Sequence, residues 1–131
     1  MESLRERNEA VVRRYCDAWK RGDVAAIFAS YHDELTLHWF GENPLAGTHA
    51  GKAAAIQALA TFQQRTNRRL LEIRDVLASD AHAVLLTRER LERDGTTLDC
   101  NRVLVFRIRD EKLAECWVYD EDARAIDALL R

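Results

Sequence analysis

The chain has 131 residues, 47% of them hydrophobic and 32% charged, with 20 basic and 22 acidic side chains. A chain of this length buries roughly 65–70% of the surface its unfolded form exposes, which excludes any need for a structural metal or a disulfide scaffold and argues for one domain. A formal net charge of −2 gives no long-range attraction to nucleic acid or to an anionic membrane, so neither is expected as a partner.

No apolar run approaches the ~20 residues that a membrane-spanning helix needs, and Met1 to Asn8 is charged where a secretory leader is apolar. A cytoplasmic location is the expectation. Cys16, Cys100 and Cys116 fit no zinc or redox spacing and read as reduced thiols. No histidines or carboxylates stand at metal-ligand spacing, so no metal and no cofactor are expected.

From Leu4 onward, Val11, Val12, Tyr15, Ala18 and Trp19 form one apolar stripe at helical spacing, and Gly22 ends this first helix. Asp23 is suited to cap a short second helix whose Ile27, Phe28 and Tyr31 face inward and which His32 to Glu34 close. Leu35 to Phe40 alternates as a strand until Gly41-Glu42-Asn43-Pro44 breaks it. Gly47 to Lys52 reads as a loop. It resembles a phosphate loop but is one residue short between glycines and has Ala53 where a hydroxyl is needed. Ala53 to Gln64 is a third helix with Ile56, Leu59, Ala60 and Gln63 on one face.

The remainder is mostly sheet, with strands from Leu70 to Ala78, His82 to Arg93, Thr96 to Arg109 and Leu113 to Tyr119, then a short helix from Asp122 to Leu130. Asp94-Gly95 is a strong signal for a two-residue hairpin turn, because both central residues need positive φ. Arg109 to Lys112 supplies a second turn. Helices segregated from a strand meander make an α+β domain, and a long twisted sheet covered on one face curls into a half-open cone. Arg65, Arg68, Arg69 and Arg74 lack interleaved aromatics and read as a solvated surface.

Several segments carry a family likeness: Arg14-Tyr15 with Gly22-Asp23, Ser30 to Glu34, Gly41 to Gly47 with Gly51-Lys52, Val103 to Ile108, Glu111 to Glu115, and Trp117-x-Tyr119-Asp120. From about Val11 to Leu130 the chain resembles the nuclear transport factor 2-like superfamily, within it the SnoaL-like and ketosteroid-isomerase-like branch. The resemblance implies a single domain over residues 1–131 with a cone-shaped, cystatin-like α+β roll. It implies a pocket that serves isomerases, cyclases, dehydratases, epoxide hydrolases or non-catalytic binding proteins. Ketosteroid isomerases carry an oxyanion-donating tyrosine where this chain has Tyr15. Their base aspartate falls at Trp39 and their protonated acid at Leu104, while the SnoaL aspartate falls at Val118. Those chemistries are therefore disfavoured.

Successive strand residues face opposite sides, so if Leu104 and Val118 face the cavity, Cys100, Arg102, Phe106, Cys116 and Asp120 do too. Across the hairpin the same face takes Thr87, Glu89 and Leu91. Pairing Arg93 with Thr96 sets Glu89 opposite Cys100 and diagonal to Arg102, within reach of an ion pair. Arg102 then fixes a carboxylate, and Asp120 or Glu89 serves as general base or acid, a grouping similar to that of limonene-epoxide-hydrolase-like proteins. The alternative is an ion pair that merely seals the cavity. His38 is a further proton-transfer candidate, although alternation admits only one of His38 and Trp39 to the interior. Tyr15, Trp19 and Tyr31 form a candidate aromatic wall.

The expectation is a pocket for a small, mainly apolar organic molecule, with proton-transfer chemistry of the isomerase, cyclase, dehydratase or epoxide and lactone hydrolase type. The alternative is a non-catalytic ligand-binding or dimerising domain. Catalytic candidates are Asp120, Glu89, Arg102, His38 and Tyr15. Substrate-binding candidates are Trp19, Tyr31, Trp39, Thr87, Cys100, Leu104, Cys116 and Val118. Val103, Val105, Trp117 and Tyr119 face outward and are too apolar for water, which predicts a homodimer through them.

Overall fold

A computed structural model describes residues 1–131. Helix α1 spans Leu4–Arg21: Ser3 caps its start by accepting from the Glu6 amide, and Gly22, in the left-handed region at φ 67, ends it. Asp23 accepts from the Ala26 amide and caps helix α2, Val24–Ala29. Strand β1 follows at once, Tyr31–Trp39. The second helix therefore stops short of the expected His32–Glu34 closure. Ser30 bonds back to the Ala26 carbonyl, and its own carbonyl accepts from the Leu113 amide, so pairing with the last strand overrides local helical preference.

Gly47–Ala50, expected as a loop, is a short edge strand, β2, antiparallel to β1 from Trp39↔Gly47 to Thr36↔Ala50. Its residues have little strand preference of their own, and the ladder with β1 supplies the order. Helix α3 covers Lys52–Thr66. Strands β3 (Arg69–Ala78), β4 (His82–Arg93), β5 (Thr96–Arg109) and β6 (Lys112–Asp120) form the meander, and helix α4 covers Ala123–Leu130. Asp94 and Gly95 have φ of 50° and 81°, and Arg93 pairs with Thr96 as the turn signal requires.

One six-stranded sheet results, in the order β2-β1-β6-β5-β4-β3, curved and unclosed. All its pairs are antiparallel except β1 with β6, which is parallel. No tight turn joins those two strands, so nothing imposes the antiparallel direction there. Helices α1 and α3 lie on the concave face, and the core between them and the sheet includes Val12, Leu35, Leu37, Phe62, Leu85, Leu91, Phe106 and Leu113. Helix α3 buries Ala55, Ala58, Phe62 and Thr66. The face read from sequence, with Ile56, Leu59, Ala60 and Gln63, turns instead toward an open groove. Two alanines let the helix backbone approach the sheet, so the small residues go in and the branched ones line the groove. No helix is long and apolar enough to cross a membrane.

Candidate functional site

The concave face carries a groove of about 770 Å³ between the C-terminal end of α1, α2, α3 and β3. Its walls are Trp19, Ile27, Ile56, Leu59, Leu70 and Ile73, with Lys20, Arg69 and Glu72 at the rim. Behind it lies an inner hollow of about 20 Å³, the room of a single water. Tyr15, Tyr31, Leu59 and Arg68 line both spaces and form the partition between them. The hollow also touches Trp39, Arg102, Leu104, Phe106, Cys116 and Val118. The cone is thus mostly filled by its own side chains, and the roomier space lies at its mouth.

Strand parity holds across the meander: Thr87, Glu89, Leu91, Cys100, Arg102, Leu104, Phe106, Cys116 and Val118 are buried, and the Asp120 side chain is 7% exposed. Glu89 is directly opposite Cys100, as the hairpin predicts. The charged groups form one row across three strands. Arg68 donates to Glu89 through Nε at 2.5 Å and Nη2 at 3.1 Å. Arg102 donates through Nη1 to Glu89 at 3.3 Å and through Nε to Asp120 at 2.6 Å, and Thr87 Oγ1 donates to Glu89 at 2.6 Å. Two guanidiniums thus balance two carboxylates, the condition under which buried charges are tolerated.

Burial pushes the Glu89 carboxyl up, but the Arg68 and Arg102 charges, with hydrogen bonds from Arg68 and Thr87, outweigh that and hold it at about 2. At neutral pH Glu89 is a clamped anion and a poor base. Neither Glu89 nor Asp120 lines the groove or the hollow. The arginines stand between the carboxylates and any occupant, so the expected arrangement of acids aimed into the cavity is replaced by guanidiniums aimed into it.

Arg68 is the residue that sequence reasoning misplaced on a solvated surface. Its side chain is 11% exposed, and its guanidinium lies 4.5 Å from the Trp19 ring centroid and 5.5 Å from that of Phe62. Two signals pointed to it. Asn67 takes the left-handed conformation (φ 45) that ends α3 and redirects the chain, and an inward Glu89 needs a second counter-charge when Asp120 also claims Arg102.

Tyr15 and Tyr31 face each other with hydroxyls 3.2 Å apart. Burial raises both, Tyr31 to about 12 and Tyr15 well above its ordinary value, so both stay protonated donors. Trp19 stands beside Tyr15 and lines the groove. Burial likewise pushes the Cys100 thiol to about 11 and the Cys116 thiol to about 12, which removes them as nucleophiles. Thr87 and Cys100 line neither space, and Thr87 acts by bonding Glu89.

His38 corrects another expectation. Leu35, Leu37 and Trp39 are the buried residues of β1, so His38 falls on the outer face. There its Nε2 lies 2.5 Å from Glu115 Oε2, its Nδ1 lies 3.3 Å from Thr48 Oγ1, and its ring stacks on Trp117. Trp39 is the inward member of the pair, packed 4.7 Å from Phe62 between ring centroids.

The sequence profile of the SnoaL-like domain matches residues 12–116. Among solved structures, Bal32a from a soil-derived mobile gene cassette is 25% identical with a TM-score of 0.85, over 98% of this chain and 100% of that one. A protein from Xanthomonas campestris with a cystatin-like fold is 23% identical with a TM-score of 0.87, over 94% of this chain and 97% of that one. An NTF2-like protein from Burkholderia xenovorans LB400 is 22% identical with a TM-score of 0.77, over 94% and 96% of the two chains. No curated protein matches the sequence.

Proposed function

Because the chain belongs to the SnoaL-like domain family, we propose that its groove binds a small, mainly apolar organic molecule and sets one oxygen of that molecule against Arg68 and the Tyr15–Tyr31 pair. The observation that carries this reading is the partition itself: an apolar groove ends on three donor side chains that also line the inner hollow. Pockets of this kind use apolar walls for affinity and a few convergent polar groups for orientation. A tyrosine hydroxyl and a guanidinium polarise a carbonyl, epoxide or lactone oxygen, which is the electrophilic half of isomerisation, cyclisation, dehydration or ring hydrolysis. Glu89 supplies the other half only when Arg68 swings aside, while Asp120 stays bound to Arg102.

Non-catalytic binding is the second reading, favoured by the screening of both carboxylates behind arginines. A thermal-shift screen against ketones, lactones and epoxides, followed by mass spectrometry of the recovered compound, tests both. A ligand held at 100-fold its Kd stabilises by about 2.7 kcal/mol, a shift of several degrees. Ile56→Trp, which fills the groove, is expected to abolish the shift. No shift with any class, or one that survives Ile56→Trp, overturns the reading, and an altered compound selects catalysis.

We also propose self-association through the outer sheet face. Val103, Val105 and Trp117 are half-buried in the single chain, Tyr119 is 47% exposed, and Phe40 stacks on Tyr119 at 5.2 Å. Light scattering at micromolar concentration is expected to give the mass of two chains, and Tyr119→Lys the mass of one. A monomeric wild type would remove the dimer.

A further inference from the structure

Helix α2 is built from six apolar residues, Val-Ala-Ala-Ile-Phe-Ala, and none of them is buried. Val24 is 56% exposed and Phe28 36%, and both line the groove together with Ile27. A third exposed apolar side chain at the groove is Leu71 of β3, at 42%. An all-apolar helix that stands in water while it walls an apolar groove has its partner still to come. We propose that α2 is a strap that folds down on the molecule seated in the groove and is ordered by it. The inference rests on the groove-binding reading above and adds the motion by which the groove closes.

The strap is pinned at both ends and held loosely between them. At its start the Gly22 amide donates to the Trp19 carbonyl and the Asp23 amide to the Ala18 carbonyl, each at 3.0 Å, which fastens the turn to α1. At its end the Ser30 carbonyl accepts from the Leu113 amide at 2.9 Å, and the Ala29 carbonyl accepts from Lys112 Nζ at 3.0 Å, which fastens the turn to β6. The side-chain bonds within the segment are local: Asp23 accepts from the Ala26 amide, and Ser30 Oγ donates to the Ala26 carbonyl. Ile27, half-buried against the core, is its apolar tether. Six residues are too few for a helix that stands alone in water, so the order of the strap depends on what its apolar side chains meet.

Gly22 gives the pivot. It lies in the left-handed region at φ 67, and no atom stands within 4 Å of where a Cβ would be, so the chain has room to turn there. Segments with few buried contacts open at low free energy, and the elements that close over ligands are drawn from them. Each apolar side chain that passes from water onto the occupant adds affinity for the closed state, so occupancy itself draws the strap down. Val24 and Phe28 have the most exposed surface to give to that contact.

Fluorine NMR of the whole protein, labelled with 4-fluorophenylalanine at Phe28, Phe40, Phe62 and Phe106 and probed with naphthoate, tests the motion. The Phe28 signal is assigned through Phe28→Leu, and dissolved oxygen reports which rings meet solvent. Phe28 is expected to lose most of its oxygen-induced relaxation when naphthoate binds, whereas Phe40, on the other face of the sheet, keeps its own. In amide exchange of the free protein, Ile27 and Ser30 should exchange at least about 100-fold faster than Phe62. Naphthoate at about ten times its Kd should slow both by about tenfold. Ala25 is exposed and lines neither the groove nor the hollow, so Ala25→Gly loosens the strap without removing a contact. That variant should speed exchange at Ile27 and Ser30 about fivefold and weaken naphthoate about threefold. Naphthoate binding that leaves Phe28 exposed, leaves Ile27 and Ser30 exchange unchanged, or is as tight in Ala25→Gly as in the wild type overturns the strap and leaves the groove reading standing. Failure of naphthoate and naphthalene alike to bind overturns both.

Discussion

Replacing Glu89 by glutamine is expected to destabilise the fold by about 3–5 kcal/mol, the usual result when one member of a buried ion cluster is removed and its partners stay behind. The substitution keeps the shape and removes the charge that faces Arg68 and Arg102. The Arg102 side chain is 1% exposed and has only Asp120 left to answer it. For a domain of this size the loss corresponds to a fall in Tm of about 10 °C or more. A second consequence is a changed acid profile. The Glu89 carboxyl lies at about 2 in the folded protein against 4.5 as its ordinary value, so its folded pKa is depressed. Its contribution is complete above about pH 4.5 and is lost as the pH falls from there toward 2, a total of about 3 kcal/mol. Urea unfolding between pH 6 and pH 2.5 should therefore show a shallower decline in Glu89→Gln than in the wild type. A variant within about 1 kcal/mol of the wild type, with the same acid slope, would show that the row of charges contributes little.

Arg68→Met is expected to change what the groove can do. The Arg68 charge is the largest influence lowering the Glu89 pKa, and burial opposes it. Without the guanidinium the Glu89 carboxyl should titrate at higher pH, a change that carbon-detected NMR of the side chain reads directly. The groove and the hollow should merge, since Arg68 is one of the four residues between them. Loss of two charge-assisted hydrogen bonds and of the stacking on Trp19 should cost about 3–5 kcal/mol, the same scale as Glu89→Gln because one member of the buried cluster is again removed. An anionic aromatic probe such as naphthoate should lose about tenfold in affinity, measured by calorimetry, while naphthalene is unaffected. If Glu89 titrates unchanged and naphthoate binds as before, Arg68 neither clamps the carboxylate nor meets the ligand.

The part of the site that was legible in the sequence rests on one turn. Asp94-Gly95 fixed Arg93 opposite Thr96, alternation carried that register to Glu89 and Cys100, and the Glu89–Arg102–Asp120 contacts followed. Local rules suffice where the register is set by a two-residue loop. They failed where distant segments decide. The start of β1 at Tyr31 depends on Leu113, β2 exists only as a partner of β1, and Arg68 is drawn inward by Glu89 across the sheet. Helix α3 shows a subtler limit: its alanines carry little hydrophobic signal, yet their small size makes them the face that packs. The choice between His38 and Trp39 lay within reach of simple alternation, because Leu35, Leu37 and Trp39 share one parity and are the buried residues of β1.

The parallel union of β1 with β6 also bears on how the molecule is made. Tyr31 is registered with Leu113 and Trp39 with Val118, so the first strand waits for one that leaves the ribosome among the last. Until then β1 has only the four residues of β2 beside it, and one of its edges is open. The β3–β6 meander can assemble from neighbouring hairpins, whereas docking β1 closes a loop of roughly 80 residues and should be a late event. Trp39 reaches its place only with that event, so its fluorescence should report the last stage of refolding after the hairpins have formed.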